Sequence, residues 1–186
     1  MRIRICSKKH QEIKSFPIFD TRPPDCCNGD LGVTCKSKVN FFLLYLMPIM
    51  TLIEAIQNRH SVRRYCPDPI DETALARLEE AIAQANRQAS LHIQLITNEP
   101  KAFSGPLAYG KFEGVNNYLV MAGKREKDLD ERIGYYGEGL VLLAQQLGLN
   151  SCWAGLSYRK ISGTYALDED EKIACYIALG YGQSQG

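Results

Sequence analysis

The spacing of apolar residues from position 51 onward predicts helices with defined beginnings and ends. Thr51 and Glu54 form the pattern of a capping box, which predicts a short helix to about Asn58. Asp71 is placed to cap a second helix over about residues 72–88, where apolar residues recur every three or four positions.

A third and longer helix is predicted to begin at Asp128, with Glu131 in its first turn, and to end before Gly148. Three glycines lie inside it, and each costs about 1 kcal/mol relative to alanine. We interpret them as sites of close backbone approach at the interface of a homodimer, and a frayed first turn or a loop is the alternative. The three are Gly134, Gly137 and Gly139.

Short apolar segments are interleaved with these helices and predict β-strands. Residues 91–96 alternate with period two, whereas residues 117–122 are more continuously apolar, as in a buried strand. Residues 151–154 and 173–179 predict two further strands. Helices interleaved with short strands indicate one mixed domain, α+β or α/β, in which a sheet is flanked by helices.

Charge and cysteine content change at about Met50. Residues 1–49 carry eight Lys or Arg and four Asp or Glu, a charge of +4, whereas residues 50–186 carry 14 and 17, a charge of −3. The first segment has no sustained apolar period and cannot bury enough area to offset its ordering entropy. We expect residues 1–49 to be disordered, or the product of a translation start placed too far upstream, and the working domain to span residues 50–186.

Composition excludes several classes of function. The acidic main segment has no stripe of Lys and Arg, so it offers no surface for nucleic acid. The apolar run at residues 41–50 is interrupted by Pro48 and is shorter than the roughly 20 residues that span a bilayer. A secretory signal near residue 1 is also missing. We therefore expect a cytoplasmic protein without membrane attachment.

The cysteines do not form a metal-binding pattern. The adjacent Cys26 and Cys27 do not supply the two spaced pairs of a zinc site, so no metal is predicted. Cys152 and Cys175 lie inside apolar runs with no histidine nearby. This setting favours reduced thiols packed as small hydrophobic residues over catalytic or disulfide-bonded ones.

The first candidate site is the segment from Arg59 to Tyr65. In an extended backbone Arg59, Ser61 and Arg63 project to one side, which places two guanidinium groups and a hydroxyl on one face. Such a face suits a phosphate, because Arg binds phosphate through two parallel hydrogen bonds. A solvated basic turn is the alternative.

The second candidate site is the stretch of residues 147–156, a helix end that runs directly into a strand. The small residues Ala154 and Gly155 leave backbone amides open to a flat ligand. A plain connection from helix to strand is the alternative.

Four stretches of the chain together resemble the nitroreductase family, and in particular its subgroup of small members first noted in thermophilic bacteria. The resemblance covers residues 50–186. The stretches are Arg59–Arg63, Gly110–Tyr118, Leu147–Leu156 and Ile177–Gly182.

The resemblance implies an α+β fold in a homodimer that binds FMN at the subunit interface. It also implies an activity, the transfer of electrons from NAD(P)H to nitroaromatics, quinones or similar small acceptors. Arg59 and Ser61 would hold the FMN phosphate with His60 beside it, and Arg63 would face the N1/O2 end of the flavin ring.

A backbone amide would serve the reacting end of the flavin. By the same resemblance, the N–H of Gly155, flanked by Ala154 and Leu156, would point at flavin N5. The flavin carries the reaction, so no catalytic side chain is required and none is predicted.

Two features differ from the family. Members carry an Asn-x-Gln-Pro-Trp run against the flavin pyrimidine ring, where this chain has residues 85–91, and Asn86 is the corresponding candidate. Members also continue past the last strand with a basic pair that completes the phosphate site, whereas this chain ends at Gly186. We therefore expect a nitroreductase-like fold truncated at its C-terminus.

Other functions compete with this interpretation. A flavin-binding or flavin-storage protein without turnover is one, and a membrane-tethered or metal-sensing role for residues 1–49 is another. A dinucleotide-binding fold is excluded, because Gly137-Glu138-Gly139 lies inside a predicted helix and lacks the third glycine and the preceding strand of that fingerprint.

Overall fold

The computed structural model of the protein describes residues 50–105 and 111–184. Our expectation for residues 1–49 lies outside the described residues. The elements are α1 (Leu52–Asn58), α2 (Glu72–Ala89), β1 (Gln94–Ile96), a 3-10 helix (Pro100–Phe103), β2 (Asn117–Lys124), α3 (Leu129–Gln146), β3 (Asn150–Ala154) and β4 (Glu171–Gly180). The three predicted helices and the four predicted strands are therefore confirmed.

The strands form one antiparallel sheet in the order β1-β2-β4-β3. Along β2 the side chains alternate between its two faces. Leu119 and Met121 pack with α2 and α3, whereas Tyr118 and Val120 pack on the other face with Val62 of the Arg59–Tyr65 segment. The fold is α+β, with helices on one face and extended or irregular chain on the other.

The beginnings of the first two helices are formed by the predicted caps. The Thr51 hydroxyl accepts from the Glu54 backbone N–H, and the Glu54 carboxylate accepts from the Thr51 N–H at 2.8 Å. Asp71 accepts from the N–H of Thr73 at 2.9 Å. Since both caps use residues two or three positions apart, local sequence is sufficient to form them.

The third helix begins where predicted, but the Asp128 side chain makes no cap hydrogen bond. Its carboxylate instead pairs with Arg132, with Nε and Oδ2 3.2 Å apart. Arg132 also donates from Nη1 to the carbonyl of Ala89 at the end of α2, at 2.6 Å. Asp128 thus helps to hold the guanidinium group that joins α2 to α3.

The first predicted strand is shorter than expected. Ladder pairing covers only Gln94–Ile96, and Leu91 makes a single bridge to Gly123. The reason is that the Asn86 carboxamide takes both backbone groups of Ile93, accepting from its N–H at 2.8 Å and donating to its carbonyl at 2.9 Å. A side chain therefore replaces the strand partner at this point.

Gly137 makes its close approach within its own chain. A Cβ atom on Gly137 would lie 2.5 Å from Cη2 of Trp153 and 2.9 Å from Cε of Met121, whereas Gly134 and Gly139 face open space. Our assignment of Gly137 to contact with a second copy is corrected accordingly. The helix is also continuous across all three positions, so the alternative of a frayed turn or a loop is wrong.

In the described part of the chain, no helix has both the length and the hydrophobicity needed to cross a membrane. Cys152 is buried and Cys175 is half-buried, and neither forms a disulfide. Within the same residues, no group of three or more His, Cys, Asp or Glu side chains is placed to hold a metal ion.

Candidate functional site

The Arg59–Tyr65 segment leaves the end of α1 in an extended conformation and runs beside β3. The Arg59 backbone N–H still closes the last turn of the helix on Ala55, at 2.9 Å. Ser61 then forms a parallel bridge with Ser151, and the N–H of Val62 donates to the Ser151 carbonyl at 3.1 Å. The segment therefore lies along the outer edge of the sheet.

From Ser61 to Arg63 the side chains alternate between exposed and buried, whereas Arg64, next along the chain, is also exposed. Val62 and Tyr65 are buried, whereas Ser61 and Arg63 are exposed and Arg59 is half-buried. The Tyr65 hydroxyl donates to the Val62 carbonyl at 2.6 Å and so holds the segment from its buried side. The side chains of Ser61 and Arg63 are thus open to solvent, whereas Arg59 is partly enclosed.

The far end of the segment is held by two other parts of the chain. The N–H of Glu113 donates to the Arg63 carbonyl at 2.9 Å, and the N–H of Tyr65 donates to the Glu113 carbonyl at 3.0 Å. On the other side, the N–H of Gln183 donates to the Arg64 carbonyl at 2.9 Å. Both flanks of the backbone are hydrogen-bonded, which makes the segment a rigid base for its exposed side chains.

Arg59 is fixed by an ion pair with α3. Its Nε lies 3.3 Å from Oε1 of Glu138, and the other oxygen of Glu138 accepts from the indole N–H of Trp153 at 3.2 Å. Trp153 belongs to β3 and directly precedes Ala154 and Gly155. One carboxylate therefore joins the first candidate site to the second.

Two buried nitrogen atoms at this site have no hydrogen-bond partner among the described residues. They are Nη1 of Arg59 and Nε2 of His60. The other ring nitrogen of His60 lies 3.0 Å from the Asn58 carbonyl, and because a carbonyl only accepts, that nitrogen carries the proton. Nε2 becomes a donor only when the ring is protonated. Since buried donors in proteins are nearly always paired, Nη1 of Arg59 suits an anionic partner, whereas Nε2 of His60 in this tautomer is an acceptor.

Arg63 and Arg64 are both exposed cations of the segment, but they differ in their partners. Among the described carboxylates, none forms an ion pair with Arg63, whereas its neighbour Arg64 pairs with Glu113 at 3.5 Å. A guanidinium group without a carboxylate beside it retains its full attraction for negative charge on a ligand.

The end of β3 presents open backbone. Ala154 is buried, but Gly155 is exposed, and a Cβ atom on it would meet nothing within 4 Å. Leu156 follows with 88% of its surface exposed. The space beside Gly155 is therefore large enough for a flat group to approach the backbone.

The structure does not give Asn86 a comparable position. Both polar groups of its carboxamide are bonded to the backbone of Ile93, which they hold against α2. These two hydrogen bonds alone account for an asparagine at this position.

Sequence reasoning did not find Glu138 or the aromatic cluster beneath the site. Tyr176 stacks between Tyr158 and Tyr118, with ring centroids 3.9 Å and 5.0 Å away, in the same core cluster as Val62 and Tyr65. These tyrosines are scattered along the sequence, so no local pattern indicates their contact. Glu138 carries one signal, a carboxylate between two glycines in the middle of the helix.

The comparison with protein families decides the identity. The family model described as "Putative TM nitroreductase" matches residues 51–186. The chain belongs to this family. The match begins at the N-cap of α1 and includes both candidate sites of the nitroreductase domain. No protein of curated function matches the sequence.

Solved structures support the same fold. A nitroreductase with bound FMN from Bacteroides fragilis is 20% identical with a TM-score of 0.55, and the match covers 70% of this chain and 88% of that one. A nitroreductase in complex with FMN from Desulfovibrio desulfuricans is 21% identical with a TM-score of 0.55, covering 73% and 88%. An FMN-dependent nitroreductase from Clostridium difficile is 17% identical with a TM-score of 0.55, covering 71% and 88%. At such identities the likeness establishes the nitroreductase fold alone.

Proposed function

We propose that this nitroreductase-family chain is an FMN-dependent oxidoreductase that passes electrons from NAD(P)H to nitroaromatics, quinones or related acceptors in the cytoplasm. One observation carries the proposal. Glu138 holds Arg59, whose buried Nη1 has no hydrogen-bond partner among the described residues, and Ser61 lies close by on the same segment. Through Glu138, α3 links this segment to the open backbone at Gly155. The FMN named for several solved relatives supports flavin as the ligand.

The residues of the segment divide into two roles. Arg59 and Ser61 hold the phosphate, and His60 supplies a further donor when its ring is protonated. Arg63 faces the flavin ring, where a fixed cation stabilises the negative charge that reduction brings. The two guanidinium groups thus act on different parts of one ligand.

The backbone at the end of β3 completes the site. The Gly155 N–H donates to the ring, and the small Ala154 beside it permits close approach. Bound FMN supplies the hydride-accepting chemistry. The protein supplies orientation and charge, and no side chain acts as acid or nucleophile.

We also propose that the working form is a homodimer. Three large apolar side chains of α1 and one of α3 are exposed, a surface that an isolated chain leaves in water. Leu52 and Tyr135 line the same groove between the helices, with a volume of about 490 Å³. The four residues are Leu52 (53% exposed), Ile53 (63%), Ile56 (53%) and Tyr135 (78%).

The proposal is tested by purifying the full chain and recording its visible spectrum, since bound flavin absorbs where no side chain does. NADPH and NADH oxidation with a quinone is then followed in the steady state. Bound flavin with turnover supports the proposal. Bound flavin without turnover on either nucleotide favours the storage function, and a colourless protein that does not take up added FMN rules out both.

A further inference from the structure

Glu138 connects the two halves of the proposed site through its two carboxylate oxygens. Oε1 lies 3.3 Å from Arg59 Nε, and Oε2 accepts from Trp153 Nε1 at 3.2 Å. Arg59 belongs to the segment proposed to hold phosphate, and Trp153 directly precedes the strand end proposed to face the flavin ring. Neither contact follows from the pattern of α3 itself, since both partners lie in other elements of the fold.

The carboxylate is itself held in place by packing. The Trp153 ring lies against Gly137, where a Cβ atom would be 2.5 Å from Cη2, so the indole is confined on the surface of α3. Glu138 follows Gly137 directly on the helix. The indole N–H therefore meets the carboxylate at a fixed position, and the carboxylate in turn fixes one edge of the Arg59 guanidinium.

Arg59 gains orientation from this pair. A guanidinium group has five donors in one plane, and binding Nε to a carboxylate sets the direction of the remaining ones. Nη1 is left buried and without a described partner. A side chain already held in its bound conformation loses less entropy when a ligand arrives.

The charge of Glu138 has the opposite effect, because it repels a phosphate. The side chains of Arg59 and Glu138 are 26% and 43% exposed, so solvent screens this repulsion substantially. The orientation that Glu138 gives to the Arg59 side chain depends on geometry, and solvent does not screen it. The balance therefore favours the orienting effect.

We infer that Glu138 is a positioning residue, which aims Arg59 at the phosphate of the ligand while Trp153 holds the carboxylate in place. The inference rests on the proposed FMN site. It predicts that removing Glu138 weakens ligand binding only when Arg59 and the phosphate of the ligand are both present. A general contribution of Glu138 to folding would depend on neither.

The test compares FMN with riboflavin, which has the same ring system without the phosphate. Dissociation constants for both are measured by flavin fluorescence with the wild type, Glu138→Ala, Arg59→Ala and the double variant. Glu131→Ala, an exposed carboxylate on the same helix, is the matched control. Melting temperatures of all five proteins identify any variant that fails to fold.

Glu138→Ala is expected to bind FMN about three- to tenfold more weakly, the cost of ordering one long side chain, with riboflavin binding unchanged. In the Arg59→Ala background the same change is expected to have no further effect, because the group on which it acts is gone. Trp153→Phe keeps an aromatic side chain but removes the N–H donor, and it should weaken FMN binding in the same direction by a smaller factor.

Four results would overturn the inference. Glu138→Ala could bind FMN as tightly as the wild type or more tightly, which would leave only the repulsive effect. It could weaken FMN and riboflavin equally, or act undiminished without Arg59, and either result would mark a structural role. A wild type that binds neither flavin refutes the proposed function and this inference together.

Discussion

Trp153 occupies the space that a side chain on Gly137 would need. A Cβ atom there would lie 2.5 Å from Cη2 of the indole. Glycine in the middle of a helix is unfavourable by itself, so the contact explains its presence by packing between α3 and β3. The same packing places the indole N–H beside Glu138, and Glu138 also forms an ion pair with Arg59.

The two glycines of α3 at positions 137 and 139 should respond to alanine with opposite signs. Gly137→Ala is expected to lower the free energy of unfolding by about 1–3 kcal/mol, because the new methyl group overlaps Trp153. Gly139→Ala should raise it by about 0.5–1 kcal/mol, since its Cβ meets nothing within 4 Å and alanine favours the helix. Urea denaturation measures both. Equal effects of the two substitutions would show that the indole does not restrict position 137.

The two arginines of the proposed site should have separate functions. Arg59→Ala is expected to reduce FMN affinity by about 1.5–3 kcal/mol, the scale of a charge-assisted hydrogen bond. Arg63→Ala should slow flavin reduction more than it weakens binding. Equilibrium titration and stopped-flow reduction measure the two quantities. If each variant changed both quantities to the same extent, the division of roles would be refuted.

The Tyr65 hydroxyl should contribute to the stability of the segment. Tyr65→Phe removes the donor that lies 2.6 Å from the Val62 carbonyl, and it should cost about 1–2 kcal/mol of unfolding free energy. Ser104→Ala is the control, since the Ser104 hydroxyl also donates to a backbone carbonyl, that of Lys101 at 3.2 Å, but is exposed and should lose almost nothing. Hydrogen exchange at the amide of Val62 gives a local readout. A Tyr65→Phe protein as stable as the control variant would contradict the expectation.

The Cys175 thiol should be unreactive in the folded protein at neutral pH. Burial first, and then the nearby Asp130 carboxylate, raises the pKa of Cys175 to about 11. Because the thiolate is the reactive form, alkylation of Cys175 should be much slower in the native state than in urea and should accelerate as the pH approaches that value. Peptide mass spectrometry after timed alkylation separates Cys175 from the other cysteines.

The same pKa shift predicts a direction for stability. The folded state retains the proton of Cys175 to about pH 11, whereas the thiol has an ordinary pKa of 9.0 in the unfolded chain. The contribution of this proton to stability is therefore complete below pH 9.0 and is lost as the pH rises through about 11. Native and unfolded alkylation rates that agree across this window would show that the thiol is not buried in solution.

The exposed apolar surface on α1 should mediate the proposed dimer. Ile53→Glu places a charge in that surface and is expected to weaken association at least about tenfold, the effect of roughly 1.4 kcal/mol. Gln57→Glu adds the same charge at an exposed polar position of the same helix and should leave association unchanged. Sedimentation velocity over a dilution series measures both. A wild type that is monomeric at every concentration would rule out the dimer itself.

The parts of this fold that were predicted correctly are those that depend on neighbours in sequence. Thr51 caps α1 through Glu54 only three positions away, and the alternation of Ser61 and Val62 follows from an extended backbone. The pairing of Arg59 with Glu138 depends instead on how α3 packs against β3. No pattern within one element contains that information, so it could not be predicted.

The strand of residues 91–96 shows the same limit. Its period-two pattern was correct, but the Asn86 side chain takes the backbone groups of Ile93 and shortens the ladder. The amide competes with the sheet for the same hydrogen bonds, and sequence spacing does not reveal which partner prevails.

The Arg59–Tyr65 segment also sets an order of events during synthesis. The side-chain amide of Gln183 donates to the Tyr65 carbonyl at 3.1 Å, and 118 positions separate the two residues. On a translating ribosome, Tyr65 emerges long before Gln183 has been added, so this flank of the segment has no partner until then. Contacts between such distant residues form late and slowly. A nascent chain therefore cannot hold the Arg64–Tyr65 end of this segment on both sides until residue 183 has been added.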